Sequence, residues 1–191
     1  FTISTPFDEK SVALLENQNL DMIKIASCSF NDWPLLERIV ENNNPIIAST
    51  AGALEKDIDQ VVSFLSHRKK NFALMHCVAE YPTPNKNTNL SQIKYLQQRY
   101  PKIRIGFSTH ENPEDIQAVK LAVAKGVTMF EKHVAVETEN YPRNAYSATP
   151  EDLDRWLVSM VEAYDMCGVI NKRSVFSDKE ISDLRQFRRG V

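Results

Sequence analysis

Short apolar, β-branched runs recur along the chain, and an amphipathic helical stretch follows each of them. The runs are FTIS, DMIKIAS, NPIIAST, NFALMHCV, KIRIGFST and VTMFEKHV, and each reads as a strand. Helix starts lie between them. In NDWPLLERIV, Asp32 can cap and Pro34 can sit in the first turn, whereas ENPEDIQAVKLAVAKG opens on acidic residues and stops at Gly126. Strand starts are roughly 20 to 31 residues apart, the length of a strand plus a crossover helix, so the units are βαβ and the sheet is parallel. The strands are almost continuously apolar, as strands covered on both faces are. A doubly wound sheet and a (β/α)8 barrel both meet this description.

The polar residues separate the two. Every apolar run breaks at its C-terminal end into groups capable of chemistry: Thr5; Lys24 and Ser27; Ser49 and Thr50; Glu80 and Tyr81; Ser108 and His110; Glu131 and His133. In a TIM barrel all strand C-termini open onto one mouth, so these residues would converge. In an open sheet the outermost strands would hold theirs too far apart to share a site. The expected fold is therefore a TIM (β/α)8-type barrel. A full barrel has eight strands and about 250 residues, so the six βα units here predict a partial barrel lacking two units ahead of Phe1. The barrel portion is expected over residues 1–168. Residues 169–191 read as a linker and a short helix, SDKEISDLRQF, leading to a further element.

The composition suits a globular domain with a core: 191 residues, 42% hydrophobic, 25% charged and a formal net charge of −2. So small a charge supplies no broad field for nucleic acid or an anionic membrane, and neither is expected as a partner. No apolar run reaches the roughly 18 to 20 residues that span a bilayer, and FTISTPFDEK is unlike a secretory leader, so a cytoplasmic location is expected. Three separated cysteines, Cys28, Cys77 and Cys167, suggest reduced, mostly buried thiols rather than a disulfide framework.

His110 and His133 end consecutive strands and could share one divalent ion, with Glu131 beside them as ligand or base; the alternative is that both are structural. Thr5, Ser27, Ser49 and Ser108 form a ring of hydroxyls around the Lys24 ammonium, a candidate phosphate cradle, although each hydroxyl alone is an ordinary turn or cap residue. Lys24 alternates with Ile23 and Ile25. If it points inward it needs an anion, and if outward it is a solvated charge. His76, Trp33 and Trp156 read as packing residues, and the cluster at residues 188–190 as a solvated hinge.

Taken together, STPFD, KIAS, IAST, LMHCVAEYPTP, IGFSTH and FEKH resemble the sialic acid (N-acetylneuraminate) synthase family, in that family's order and spacing. The resemblance implies that the chain supplies the third to eighth barrel strands. It implies that His110 and His133 hold manganese (Mn2+) or magnesium (Mg2+), and that Thr5, Lys24, Ser27, Ser49 and Ser108 bind phosphoenolpyruvate. Tyr81 and Glu131 would line the substrate site as catalytic residues. The implied reaction condenses phosphoenolpyruvate with an N-acetylated sugar in a homodimer, and QFRRGV would lead into a C-terminal antifreeze-like domain. Three stretches depart from the family pattern. YPRN stands where Gly-Pro-Asp-His is usual, Ala79 replaces Ser or Asn, and STAG replaces Ser-Thr-Gly, so that Arg143 suggests another, anionic acceptor or a lost activity. Two rival readings are a Schiff-base aldolase using Lys24 or Lys132, and a degenerate barrel that binds a sugar or anion without turnover. The chain alone is expected to be inactive, and its two sheet edges to require a partner or cause aggregation.

Overall fold

The computed structural model describes residues 1–189; Gly190 and Val191, the end of the expected lead into a further domain, lie outside the described residues. Six parallel strands form one sheet in chain order: β1 (Ile3–Ser4), β2 (Met22–Ile25), β3 (Ile46–Ser49), β4 (Phe72–Cys77), β5 (Arg104–Thr109) and β6 (Phe130–Lys132). Each strand pairs with the next, with no reversal of order, which is the wall of a barrel rather than a doubly wound sheet. The helices are α1 (Glu9–Glu16), α2 (Trp33–Ile39), α3 (Glu55–His67), α4 (Ser91–Arg99), α5 (Gln117–Ala124), α6 (Pro150–Cys167) and α7 (Asp178–Arg185).

The helix boundaries follow from local chemistry. Asp32 accepts a hydrogen bond from the Leu35 amide at 3.3 Å, with Pro34 in the first turn, as expected. Thr149 and Asp152 form a reciprocal capping box, each bond 3.1 Å. Helix α5 starts later than its acidic lead suggests, because the Asn112 and Asp115 side chains accept from the Glu114 and Gln117 amides and hold residues 112–116 in a turn.

Alternation along the strands divides core from mouth. Ile23 and Ile25, Ile46 and Ala48, Leu74, and Ile105 and Phe107 are buried beneath the helices, against Leu35, Leu36, Val61, Leu65, Ile93 and Leu96. The register aligns Ile25 with Ala48, Ala48 with Leu74, and Leu74 with Ile105, so this layer is continuous. Intervening residues face the barrel axis. Gly106 is among them, and a Cβ there would strike Met75 Sδ and lie 2.7 Å from the Met129 carbonyl oxygen, so only glycine fits.

His76 is a satisfied core residue: Nε2 lies 2.8 Å from the Thr88 carbonyl, the ring stacks on Phe107, and burial holds its pKa below the ordinary value. Trp156 is buried edge-on to Phe130, whereas Trp33 is partly exposed and packs on Phe64. The cysteine expectation is corrected: Cys77 alone is buried, while Cys28 sits exposed at the mouth and Cys167 at the end of α6. No helix among the described residues is long and apolar enough to cross a membrane.

Candidate active site

A cavity of about 540 Å³ opens at the C-terminal ends of the strands. Its lining includes all five residues of the expected phosphate cradle, Thr5, Lys24, Ser27, Ser49 and Ser108. Tyr81, His110, Glu131 and His133 line it as well. Residues that are up to 128 positions apart, from Thr5 to His133, meet because every strand runs the same way and releases its side chains at the same rim.

Lys24 points inward, opposite to Ile23 and Ile25, and finds its anion across the half-barrel: Nζ lies 3.0 Å from Glu131 Oε1. Both partners remain partly solvated, so the pair can open to a ligand at small cost. Two polar atoms here are buried without a hydrogen-bond partner, Ser49 Oγ and Glu131 Oε2. Orphaned groups in a cavity are places for a ligand's donors and acceptors. Ser27 Oγ accepts from the Ala51 amide at 3.1 Å and so ties the loop after β2 to the loop after β3.

The imidazoles of His110 and His133 lie 5.1 Å apart, centroid to centroid. Burial, reinforced by the neighbouring His133, pushes His110 down to about 4, and burial also lowers His133. Both rings are thus neutral near pH 7, the form that ligates metal. Cys77 Sγ lies 3.7 Å from His110 Nδ1. No group of three His, Cys, Asp or Glu residues among the described residues is set to hold a metal. The two neutral imidazoles, 5.1 Å apart between centroids, are the side chains here that could supply a divalent ion with two ligands, its other positions left to water and substrate.

Not every strand-end group joins the site. Thr50 donates to the Met75 carbonyl at 3.0 Å, and Glu80 accepts from Asn87 at 2.8 Å on the surface. Lys132 faces outward between sheet and helices, where Nζ lies 3.1 Å from Glu111 Oε1; the side chains are 3% and 1% exposed. That removes it as a nucleophile in the mouth. Arg143 is not in the cavity lining: Nη1 donates to the Ser147 carbonyl at 2.5 Å and lies 3.8 Å from Asp152 Oδ2.

The residues missed from the sequence are Phe7, Cys28, Cys77 and above all Tyr146, all in the cavity lining. The Tyr146 ring stands 5.0 Å from that of His133, 5.8 Å from His110 and 5.2 Å from Tyr81. Its signal was its place in the loop from β6 to α6, since the βα loops build the mouth of a barrel.

A model of the NeuB family matches residues 1–172. The chain belongs to the NeuB family. Similar curated proteins include the spore coat polysaccharide biosynthesis protein SpsE of Bacillus subtilis, 37% identical over 155 residues that make up 79% of this chain and 41% of that protein. The N,N'-diacetyllegionaminic acid synthase of Campylobacter jejuni is 31% identical over 189 residues, 96% of this chain and 56% of the relative. Among solved structures, a putative spore coat polysaccharide biosynthesis protein E from Chromobacterium violaceum is 53% identical with a TM-score of 0.93, covering 99% of this chain and 56% of that one. The chain spans about half the length of the curated relatives it matches. NeuB relatives named as sialic, legionaminic and pseudaminic acid synthases bear out the resemblance read from the motifs.

Proposed function

We propose that this chain forms the substrate-binding part of a synthase that condenses phosphoenolpyruvate with an N-acetylated hexose, N-acetylmannosamine or a related sugar, to give a nonulosonic acid and phosphate. The convergence of nine motif residues on one cavity, with Ser49 Oγ and Glu131 Oε2 left unpaired in it, carries this reading. Names of relatives agree with it: they include N-acetylneuraminate-9-phosphate, diacetyllegionaminic and pseudaminic acid synthases.

The Lys24 ammonium is the natural partner of the phosphate and carboxylate of phosphoenolpyruvate, and the hydroxyls of Thr5, Ser27, Ser49 and Ser108 complete the cradle. When Lys24 turns to phosphate, Glu131 is released to handle protons. C3 of phosphoenolpyruvate bonds to the acceptor's aldehyde carbon, water adds at C2, and phosphate departs by C–O cleavage. His110 and His133 would hold manganese or magnesium, which when bound supplies Lewis-acid polarisation of the aldehyde oxygen. Tyr81, edge-on to His110 at 4.7 Å, holds that ring in place.

A Schiff-base aldolase is disfavoured because each candidate nucleophile is already engaged, Lys132 with the buried Glu111 carboxylate and Lys24 with Glu131, whereas the reaction needs an amine free to attack a carbonyl. Phosphate release from phosphoenolpyruvate by the intact gene product, across N-acetylated hexoses with and without chelator, tests the proposal. Release that requires both sugar and metal is expected; chelator-resistant turnover, or a borohydride-trapped keto acid adduct, would overturn it.

A further inference from the structure

The two imidazoles stand one residue past the end of their ladder. The last registered pair between β5 and β6 is Thr109 with Lys132, and His110 and His133 follow it. Each histidine backbone is held from its far side: the Thr83 amide donates to the His110 carbonyl and the Ala148 amide to the His133 carbonyl, both at 2.8 Å. Those bonds tie the histidines to two different loops and not to each other.

Alternation supplies the missing link. Ser108, His110, Glu131 and His133 line the cavity, whereas Thr109, Glu111 and Lys132 meet on the opposite face of the sheet. There Lys132 Nζ lies 3.1 Å from Glu111 Oε1 and 3.5 Å from Thr109 Oγ1, with the Trp156 ring 5.7 Å away. Glu111 directly follows His110 and Lys132 directly precedes His133, so the ion pair bridges the two chains where the backbone ladder stops. Both side chains are almost wholly removed from water. Sliding β6 against β5 would therefore draw an ammonium away from a carboxylate where no solvent can replace either.

We propose that Lys132 and Glu111 are positioning residues for the two histidines: their ion pair clamps β5 to β6 beyond the ladder and sets the 5.1 Å separation at which the imidazoles are offered to a divalent ion. This rests on the reading of His110 and His133 as its ligands. The pair lies on the other face of the sheet from both rings, so it acts through the backbone, by fixing where each ring starts.

The test measures the Mn2+ affinity of the intact gene product without substrate, from the loss of the free-ion signal in electron paramagnetic resonance. Glu111→Leu/Lys132→Met removes the clamp without stranding a charge, and His110→Ala shows whether the ion measured is the one the histidines hold. The double variant is expected to keep its urea midpoint and to raise Kd for Mn2+ about ten-fold or more, the usual cost of losing a group that orients a metal ligand. A purely structural pair would move the midpoint and leave the affinity of the folded molecules alone. A folded double variant whose Kd rises less than about three-fold would overturn this inference and leave the synthase reading intact. If the double variant does not fold, Glu111→Gln decides, because it keeps the side chain's shape and reduces the clamp to a neutral contact: a Kd raised at least about three-fold upholds the inference, and a smaller change overturns it. A wild type that binds no Mn2+, or binding that His110→Ala leaves unchanged, would overturn the metal reading and this inference with it.

Discussion

Replacing Lys132 with methionine isolates the energetics of the buried Lys132–Glu111 pair. Nζ and Oε1 are 3.1 Å apart, and the side chains are almost completely removed from solvent. Glu111 Oε2 has no hydrogen-bond partner, and Lys132 has only a long contact to Thr109 Oγ1, 3.5 Å, besides its position 5.7 Å from the Trp156 ring. Desolvation of both ions consumes most of the attraction between them, so the pair adds little net stability, but removing one partner strands the other. Lys132→Met therefore costs about 3–5 kcal/mol. Glu111→Leu together with Lys132→Met exchanges two ions for apolar groups of similar bulk against Trp156, and stability returns to within about 1 kcal/mol of the wild type or above it. Urea unfolding of the intact gene product, followed by circular dichroism, measures each difference from the midpoint at constant m. Comparing each single variant with the double then yields the coupling. A single variant costing under about 1 kcal/mol, or a double variant no better than the worse single, would refute this account of the pair.

Gly106→Ala is expected to cost about 1–3 kcal/mol, because the new methyl meets the Met129 carbonyl, which already accepts from the Phe107 amide at 3.0 Å; an unchanged urea midpoint would show that β5 and β6 yield freely. His76 titrates from an ordinary value of 6.5, which burial lowers in the fold. The unfolded chain thus binds the proton first, and stability falls as pH drops below about 6.5. His76→Gln should flatten that dependence by at most about 1.4 kcal/mol per pH unit, and an unaltered slope of unfolding free energy against pH would exclude His76 as its source. Lys24→Met is expected to raise KM for phosphoenolpyruvate by at least about ten-fold, the worth of one charge-assisted bond, whereas a wild-type KM would move the phosphate elsewhere.

Strand positions and most of the site were legible because both follow one rule: apolar residues alternate under the helices, and the polar ones collect where each strand ends. The rule loses accuracy where tertiary contacts set the ends of an element. VTMFEKHV reads as one strand, yet only Phe130–Lys132 pairs in the ladder, because residues 107–109 of β5 offer partners to just three positions. Sequence also could not show on which face of β6 Lys132 falls until Glu111 was found opposite, nor that Arg143 would fold back on its own loop. A positive charge in an atypical motif invites a ligand, but its Nη1 instead donates to the Ser147 carbonyl, four residues away. Tyr146 was hidden for the converse reason, since one aromatic in a polar loop has no periodicity to mark it.

The alternation on these strands ties the candidate site to the integrity of the fold in an unusually strict way. On β2, Ile23 and Ile25 secure the helices while Lys24 faces the cavity, and β3 and β5 divide their residues in the same manner. A slip of one residue in β2 would put isoleucine in the mouth and the Lys24 ammonium in the apolar layer, losing site and core in a single step. If the proposed synthase function holds, misregistered molecules would thus be silent rather than sluggish, so residual activity of the intact gene product after heating or refolding would count correctly threaded barrels.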